Sequence, residues 1–284
     1  MSETKDAFLL DARGIEVTYG AGKGLFGAKS GGVRVLHGVD IAIRRGEAVG
    51  IVGESGSGKT TLGRALLRLV PASAGTITFD GQNITTLPAH HMRPLRRRMQ
   101  MIFQDPMASL NPRQSIGKIL SGPVLLHGLA ENRHDATIQV KAMLDRVSLP
   151  SAVLERSPHE LSGGQRQRIG IARAALLKPD FVLADEIVSG LDVSTQAMVL
   201  NLLKELSREM GLAMAFISHD LSVIRAICDR VYVLRFGKVV EEGPCATIFD
   251  NPHSEYTRHL LDAIPLPEID SDWLSENPIS QAAG

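Results

Sequence analysis

Short apolar runs alternate with polar segments of helical period along most of this chain. Ile15–Tyr19 and Val33–Ile43 read as strands, the second with Val35, Val39, Ile41 and Ile43 at even spacing. Between them Gly20–Gly32 carries six glycines and no apolar period, which predicts a surface loop. Arg44–Glu47 reads as a turn. Ala48–Gly53 is apolar without alternation, as a strand buried on both faces of a parallel sheet requires. Lys59–Val70 is a predicted helix, with Leu62, Leu66, Leu67 and Leu69 on or near one face, stopped by Pro71 and Gly75. Thr76–Asp80 and Met99–Phe103 return as strands.

From about residue 113 to 160 the spacing is helical (Ile138, Met143, Leu144, Val147), with no convincing strand. The alternation then resumes. Helices are predicted at Gly163–Leu177, Thr195–Met210 and Leu221–Asp229, and strands at Phe181–Ala184, Leu212–Ile217 and Val231–Arg235. Strands alternating with helices predict an α/β fold with a mostly parallel sheet, and the helical stretch reads as an inserted subdomain.

Composition narrows the classes. A hydrophobic fraction of 44% is too high for a disordered chain, and 31 basic against 31 acidic residues leave no net charge for bulk nucleic-acid or lipid binding. No nucleic-acid partner is expected. Cys228 and Cys245 are the sole cysteines, too few for a disulfide framework or a four-thiolate metal site, and they suit a reducing compartment. The N-terminal MSETKDAFLLDARG lacks a secretory pattern, and nowhere do about 18 apolar residues follow one another. A soluble, cytosolic protein is the expectation. Arg93–Arg98 is read as a solvated helix face rather than a partner surface.

Gly53-Glu54-Ser55-Gly56-Ser57-Gly58-Lys59-Thr60, followed by Thr61, fits the phosphate-loop pattern G-x-x-x-x-G-K-[ST]. Glycines let backbone N–H groups approach a phosphate, and the helix that follows offers its positive dipole end. Lys59 adds a point charge at the outer phosphates, and Thr60 a hydroxyl for magnesium. Random placement gives this pattern in roughly one such chain in a hundred, and the position between a predicted strand and a predicted helix improves on that. A flexible glycine turn is the alternative.

Phe181–Ala184 supplies a buried strand from which Asp185 and Glu186 emerge at the C-terminal end, where open α/β sheets bind ligands. Asp185 is placed for the magnesium shell, and Glu186 to orient or deprotonate an attacking water. Alone, a strand ending in two acids is unremarkable; paired with a phosphate loop it points to a nucleotide triphosphatase.

Between these motifs lies Leu161-Ser162-Gly163-Gly164-Gln165. Ser162 can cap the helix it begins, and two glycines leave backbone donors open to an anion. With this segment the chain resembles an ATP-binding cassette (ABC) subunit over nearly its whole length. The resemblance implies a phosphate-loop nucleotide triphosphatase fold with a RecA-like core, an antiparallel β subdomain and an inserted α-helical subdomain. It implies a cassette over residues 1–250, with the helical insertion at about 105–162, and an extension over 251–284. ATP and Mg2+ are the implied cofactors, and Ser162, Gly163, Gly164 and Gln165 would bind ATP held by a second cassette in a head-to-tail dimer.

Other positions match the family one by one. Tyr19 resembles the aromatic that stacks on adenine, with a core or edge-strand tyrosine as the alternative. Gln104 resembles the glutamine that touches metal and water and senses the membrane partner; on its own it is a strand end. His219, after Leu212–Ile217, resembles the histidine that contacts the γ-phosphate, though a lone histidine there is usually structural. Val188–Asp192 resembles the loop joining two cassettes. Two departures bear on loop stiffness: Ile187 stands where the family usually has proline, which would fix φ, and Gly190 where it usually has alanine.

Met101–Pro106, Ser109–Arg113, Leu191–Ser194 and the tail Asn251–Pro265 resemble the oligopeptide/dipeptide/nickel importers; Tyr256, Leu260, Leu261 and Ile264 of the tail lie at helical spacing. Some of those relatives carry a four-cysteine iron–sulfur site in this region, which two cysteines cannot build. The implied function is ATP hydrolysis driving uptake of peptides or related small solutes. The implied partners are two permease subunits, an extracytoplasmic solute-binding protein and a second cassette, commonly a related but different chain. That places the chain peripherally on the cytoplasmic face of the membrane. The rival reading is an accessory cassette of a cytosolic phosphonate-degrading complex.

Overall fold

In the computed structural model, which describes residues 8–20 and 32–262, the chain folds around two sheets with helices packed on both sides of the larger one. In chain order the elements are β1 (Leu10–Tyr19), β2 (Val33–Ile43), β3 (Ala48–Val52), α1 (Lys59–Leu66), β4 (Ala74–Phe79), β5 (Gln82–Asn83), α2 (Ala89–Arg98) and β6 (Met99–Ile102). Helices α3 (Pro106–Ser109), α4 (Ile116–Leu126) and α5 (Arg133–Arg146) follow, then α6 (Gly163–Ala175), β7 (Phe181–Asp185), α7 (Val193–Met210) and β8 (Ala213–Ile217). The described chain closes with α8 (Leu221–Ile227), β9 (Arg230–Arg235), β10 (Lys238–Pro244), α9 (Cys245–Asp250) and α10 (Glu255–Asp262).

The larger sheet has the order β10-β9-β3-β8-β7-β6, with β9, β3, β8, β7 and β6 mutually parallel and β10 antiparallel at one edge. Successive residues of its strands feed two separate cores. Met214 and Phe216 of β8 point into one with Val182 and Ala184; Ala213, Ala215 and Ile217 point into the other with Phe181, Leu183 and Ile51. Both faces are therefore covered, and this is why these strands read as unbroken apolar runs. The smaller sheet, β2-β1-β4-β5, is antiparallel and shares the second core through Ile15, Val17, Ile41 and Ile77.

Three expectations change. β1 begins at Leu10, not Ile15: a register shift between Ala12 and Ile15, with Gly14 at φ +60°, inverts the phase of the alternation and hides its first half. The helix after the glycine loop ends at Leu66, since Arg68 turns left-handed at φ +55°. The Arg93–Arg98 segment is not simply a solvated face. Arg96 donates to the Leu67 and Arg68 carbonyls just past α1, and Arg98 pairs with both Asp80 and Asp180. Cations at the end of a helix satisfy its free carbonyls, so this basic run ties α2 to the end of α1, to the turn after β4 at Asp80 and to the residue before β7 at Asp180. β10 and α9 were not expected from the sequence pattern.

From 106 to 160 the structure is helical, with α4 and α5 packed on each other through Ile116, Leu120, Val140 and Leu144. The predicted loop at 20–32 lies, apart from Gly20 and Gly32, outside the described residues, as do Ala263, Ile264 and Pro265 of the tail. Tyr256 is buried, and Leu260 and Leu261 pack partly buried against the same core. Both cysteines are buried and unbridged.

Candidate active site

The parallel strands all end at one edge of the sheet, and the candidate residues stand there. Gly53 follows β3, Asp185 closes β7, His219 lies two residues past β8, and Gln104 two past β6. The pairs Ile102↔Ala184 and Asp185↔Ile217 put these ends level.

The glycine loop needs its glycines for space. A Cβ on Gly53 (φ +143°) would lie 2.1 Å from the Leu234 carbonyl oxygen, and one on Gly58 (φ +103°) would lie 2.9 Å from Leu36 Cδ2. Gly58 is also the left-handed residue from which α1 starts, and no side chain caps that helix. Its first N–H groups are thus left to an external acceptor. Lys59 folds back on the loop, its Nζ donating to the Gly53 and Glu54 carbonyls at 2.7 and 2.8 Å. Burial pushes the Lys59 ammonium below the ordinary lysine range, against the opposing pull of Glu186, Asp185 and Glu54. The Ser57 hydroxyl is buried and has no hydrogen-bond partner, while the Ser57 carbonyl accepts from the Gly237 N–H at 2.9 Å.

Thr60 Oγ1 donates to Asp185 Oδ1 at 3.2 Å. Asp185 is 5% exposed, and this burial raises its carboxyl above the usual range despite the Thr60 bond and nearby Arg64 and Lys59. Glu186 adopts φ +50°, a conformation costly for a residue with a side chain, fixed as its N–H donates to the Ile217 carbonyl at 2.8 Å. Its carboxylate lies 3.8 Å from His219 Nδ1. Ile187 is buried among the apolar side chains behind the strand, so the position where the family usually has proline is filled by a core residue.

A cavity of about 530 Å³ opens above this edge, lined by Ser55, Gly56 and Gly58–Thr61 together with Val35, Glu186 and His219. Tyr19 is 43% exposed and its hydroxyl stands 3.5 Å from Thr61 Oγ1, so it lies beside the glycine loop rather than in the core, outside the cavity lining itself. Gln104 is exposed and does not line the cavity. Neither do Ser162, Gly163, Gly164 and Gln165. Those four residues start α6 in a reciprocal cap: the Ser162 hydroxyl accepts from the Gln165 N–H at 3.3 Å, and Gln165 Oε1 from the Ser162 N–H at 3.0 Å. Gly164 lies against α7, where a Cβ would meet Thr195 Cγ2 at 2.6 Å. Ser162 and Gly163 face outward, exposed.

Two features were not foreseen. Val35 of β2 forms a wall of the cavity. Tyr256 of α10 reaches the glycine loop, where the Glu54 N–H donates to its hydroxyl at 3.1 Å. The first was legible as the start of an alternating strand; the second joins residues 202 positions apart and had no local signal.

The residues present fit a triphosphate with a hard divalent cation. Uncapped N–H groups, a buried lysine and an orphaned serine hydroxyl suit phosphate oxygens. One hydroxyl and one carboxylate are a sparse oxygen donor set, as magnesium uses when phosphates complete its shell. Among the described residues no group of three His, Cys, Asp or Glu side chains forms a metal site of its own.

Residues 36–189 match the family model described as ABC transporter. A Brucella ovis protein bearing the name "Putative peptide import ATP-binding protein" is 49% identical over 95% of this chain and 82% of its own length. The glutathione import ATP-binding protein GsiA of Salmonella typhimurium is 47% identical over 92% of this chain and 42% of GsiA. Among solved structures, cbiO1 of Clostridium perfringens, part of the transporter complex cbiONQ, superposes with a TM-score of 0.74 at 26% identity, covering 86% of this chain and 91% of cbiO1. The dimeric post-hydrolysis cassette MJ0796, bound to ADP and Pi, gives 0.74 at 27% identity, covering 83% and 98%.

Proposed function

The chain belongs to the ABC transporter family and is an ATP-binding, ATP-hydrolysing cassette; on that premise we propose that it energises import of peptides or related small solutes. The observation that carries the catalytic part is the junction of two distant motifs at one cavity: Thr60 bonded to Asp185, with Lys59, Glu186 and His219 around it. Within the loop of residues 54–60, the backbone N–H groups not already bonded inside the chain (those of Glu54 and Ser57 are) and the Lys59 ammonium bind the phosphates, and Tyr19 stacks on the base. Thr60, Asp185 and Gln104 would hold Mg2+, which when bound supplies positive charge to the phosphate oxygens. Glu186 takes the proton of the attacking water, and His219 steadies the transferred phosphate.

Ser162, Gly163, Gly164 and Gln165 serve a neighbouring cassette. Their exposed helix start stands outside the chain's own cavity, so the site is completed by the corresponding segment of a second cassette, related or identical. Residues 1–250 act as the cassette, with 105–162 as its helical insertion, and 251–284 as an extension of oligopeptide-importer type. No helix among the described residues is long and apolar enough to cross a membrane. In this reading two permease subunits carry the solute, with an extracytoplasmic solute-binding protein delivering it and this chain bound at the cytoplasmic face.

The names of the relatives favour import over a phosphonate-degrading role: they are peptide and glutathione import ATP-binding proteins. Reconstituted complex with its binding protein should show ATPase stimulated by peptides. Stimulation by an unrelated sugar and not by peptides would reject that solute class.

A further inference from the structure

The peptide plane joining Gly53 to Glu54 is held from both sides. Its carbonyl accepts from Lys59 Nζ at 2.7 Å, and its N–H donates to the Tyr256 hydroxyl at 3.1 Å. The Leu234 carbonyl packs against Gly53 where a side chain would be. Tyr256 is itself fixed. It is 7% exposed, and the Arg235 guanidinium lies 4.7 Å from its ring centroid. The helix carrying it is anchored at its start by Glu241 of β10, whose two carboxylate oxygens accept from the N–H groups of His253 (2.7 Å) and Ser254 (3.1 Å).

We propose that Tyr256 is a positioning residue for ATP, through which the first helix of the C-terminal extension holds the phosphate loop in its binding shape. The inference rests on the glycine loop being the phosphate site. When Lys59 turns to a phosphate it releases the Gly53 carbonyl, and the Tyr256 hydroxyl is then the remaining side-chain hold on that peptide. A loop kept in its bound shape loses less freedom when ligand arrives, so the hydroxyl acts on affinity more than on the chemical step. The same bond makes the extension sensitive to the loop: movement of one must be felt by the other.

The test compares Tyr256→Phe, which removes the hydroxyl alone, with Tyr256→Leu, which removes ring and hydroxyl, in the full chain and in the assembled complex. The probes are a fluorescent ATP analogue for affinity and ATPase for KM and kcat. For Tyr256→Phe, loss of one neutral hydrogen bond should weaken nucleotide binding and raise KM about three- to tenfold, with a smaller fall in kcat and an unfolding midpoint lowered by only about 2–5 °C, so that the variant stays folded under assay conditions. Tyr256→Leu should be at least as impaired. If Tyr256→Phe binds ATP with wild-type affinity and KM, the proposal is overturned, whatever Tyr256→Leu does. Failure of the wild-type chain to bind the analogue would instead reject the phosphate-site reading itself.

Discussion

Thr60 and Asp185, 125 residues apart, share a hydrogen bond of 3.2 Å at the junction of α1 and β7. The bond is weak compensation for a carboxylate buried to 5% exposure, which is why the Asp185 carboxyl is raised above its ordinary range. A carboxylate shifted by burial beside a cavity marks a candidate functional site. The sign of its effect follows from linkage. A folded-state value above the unfolded one means the native state holds the proton more tightly, so this group weakens folding as pH rises through that window. The penalty is absent well below the ordinary carboxylate range and complete once pH has passed the raised folded value.

Asp185→Asn should therefore leave the nucleotide-free chain as stable as the wild type, or more so, at pH 7, while ATPase in the complex falls by about a hundredfold or more. Thermal unfolding across pH and steady-state turnover check both halves. A marked loss of stability at pH 7 would mean that Asp185 is a structural carboxylate rather than one kept for the metal and nucleotide.

Glu186 is held at φ +50° by its backbone bond to Ile217, with its carboxylate toward His219 and the cavity. Such strain persists where the surroundings over-determine it, often at sites of chemistry. Glu186→Gln keeps shape and removes basicity. Turnover in the assembled complex should fall by about 10²- to 10⁴-fold with ATP affinity retained. Turnover near wild type refutes its role with water.

Two loop glycines should respond differently to the same substitution. At Gly53 an added methyl meets a backbone oxygen at 2.1 Å, which no side-chain rotation can relieve; at Gly56 (φ +81°) nothing lies within 4 Å. Gly53→Ala should cost about 3 kcal/mol or more, and Gly56→Ala about 1 kcal/mol, the conformational term alone. Unfolding midpoints of the two variants decide it, and equal losses would mean that the contact with Leu234 is not rigid.

Much of this arrangement could be read before the structure. The parallel strands showed as unbroken apolar runs because both faces are covered, and the phosphate loop and the Asp185–Glu186 strand end are local patterns. What stayed hidden was set by distant partners. The bulge at Gly14 masked half of β1, and Arg96 looked solvated because its acceptors are carbonyls from another segment. Tyr256 read as one apolar position of an amphipathic helix, since nothing near it in sequence points to Glu54. The exposed start of α6 was legible as a capped glycine turn, and its residues do not line the cavity.

The structure of the assembled complex carrying Glu186→Gln with Mg-ATP is the most direct measurement. The expected map has the phosphates against Lys59 and the loop of residues 54–61, faced by the counterpart of Ser162–Gln165 from a different cassette polypeptide. Phosphates bound away from that loop, or a face supplied by Ser162–Gln165 of the same chain, would refute the shared site on which the whole reading stands.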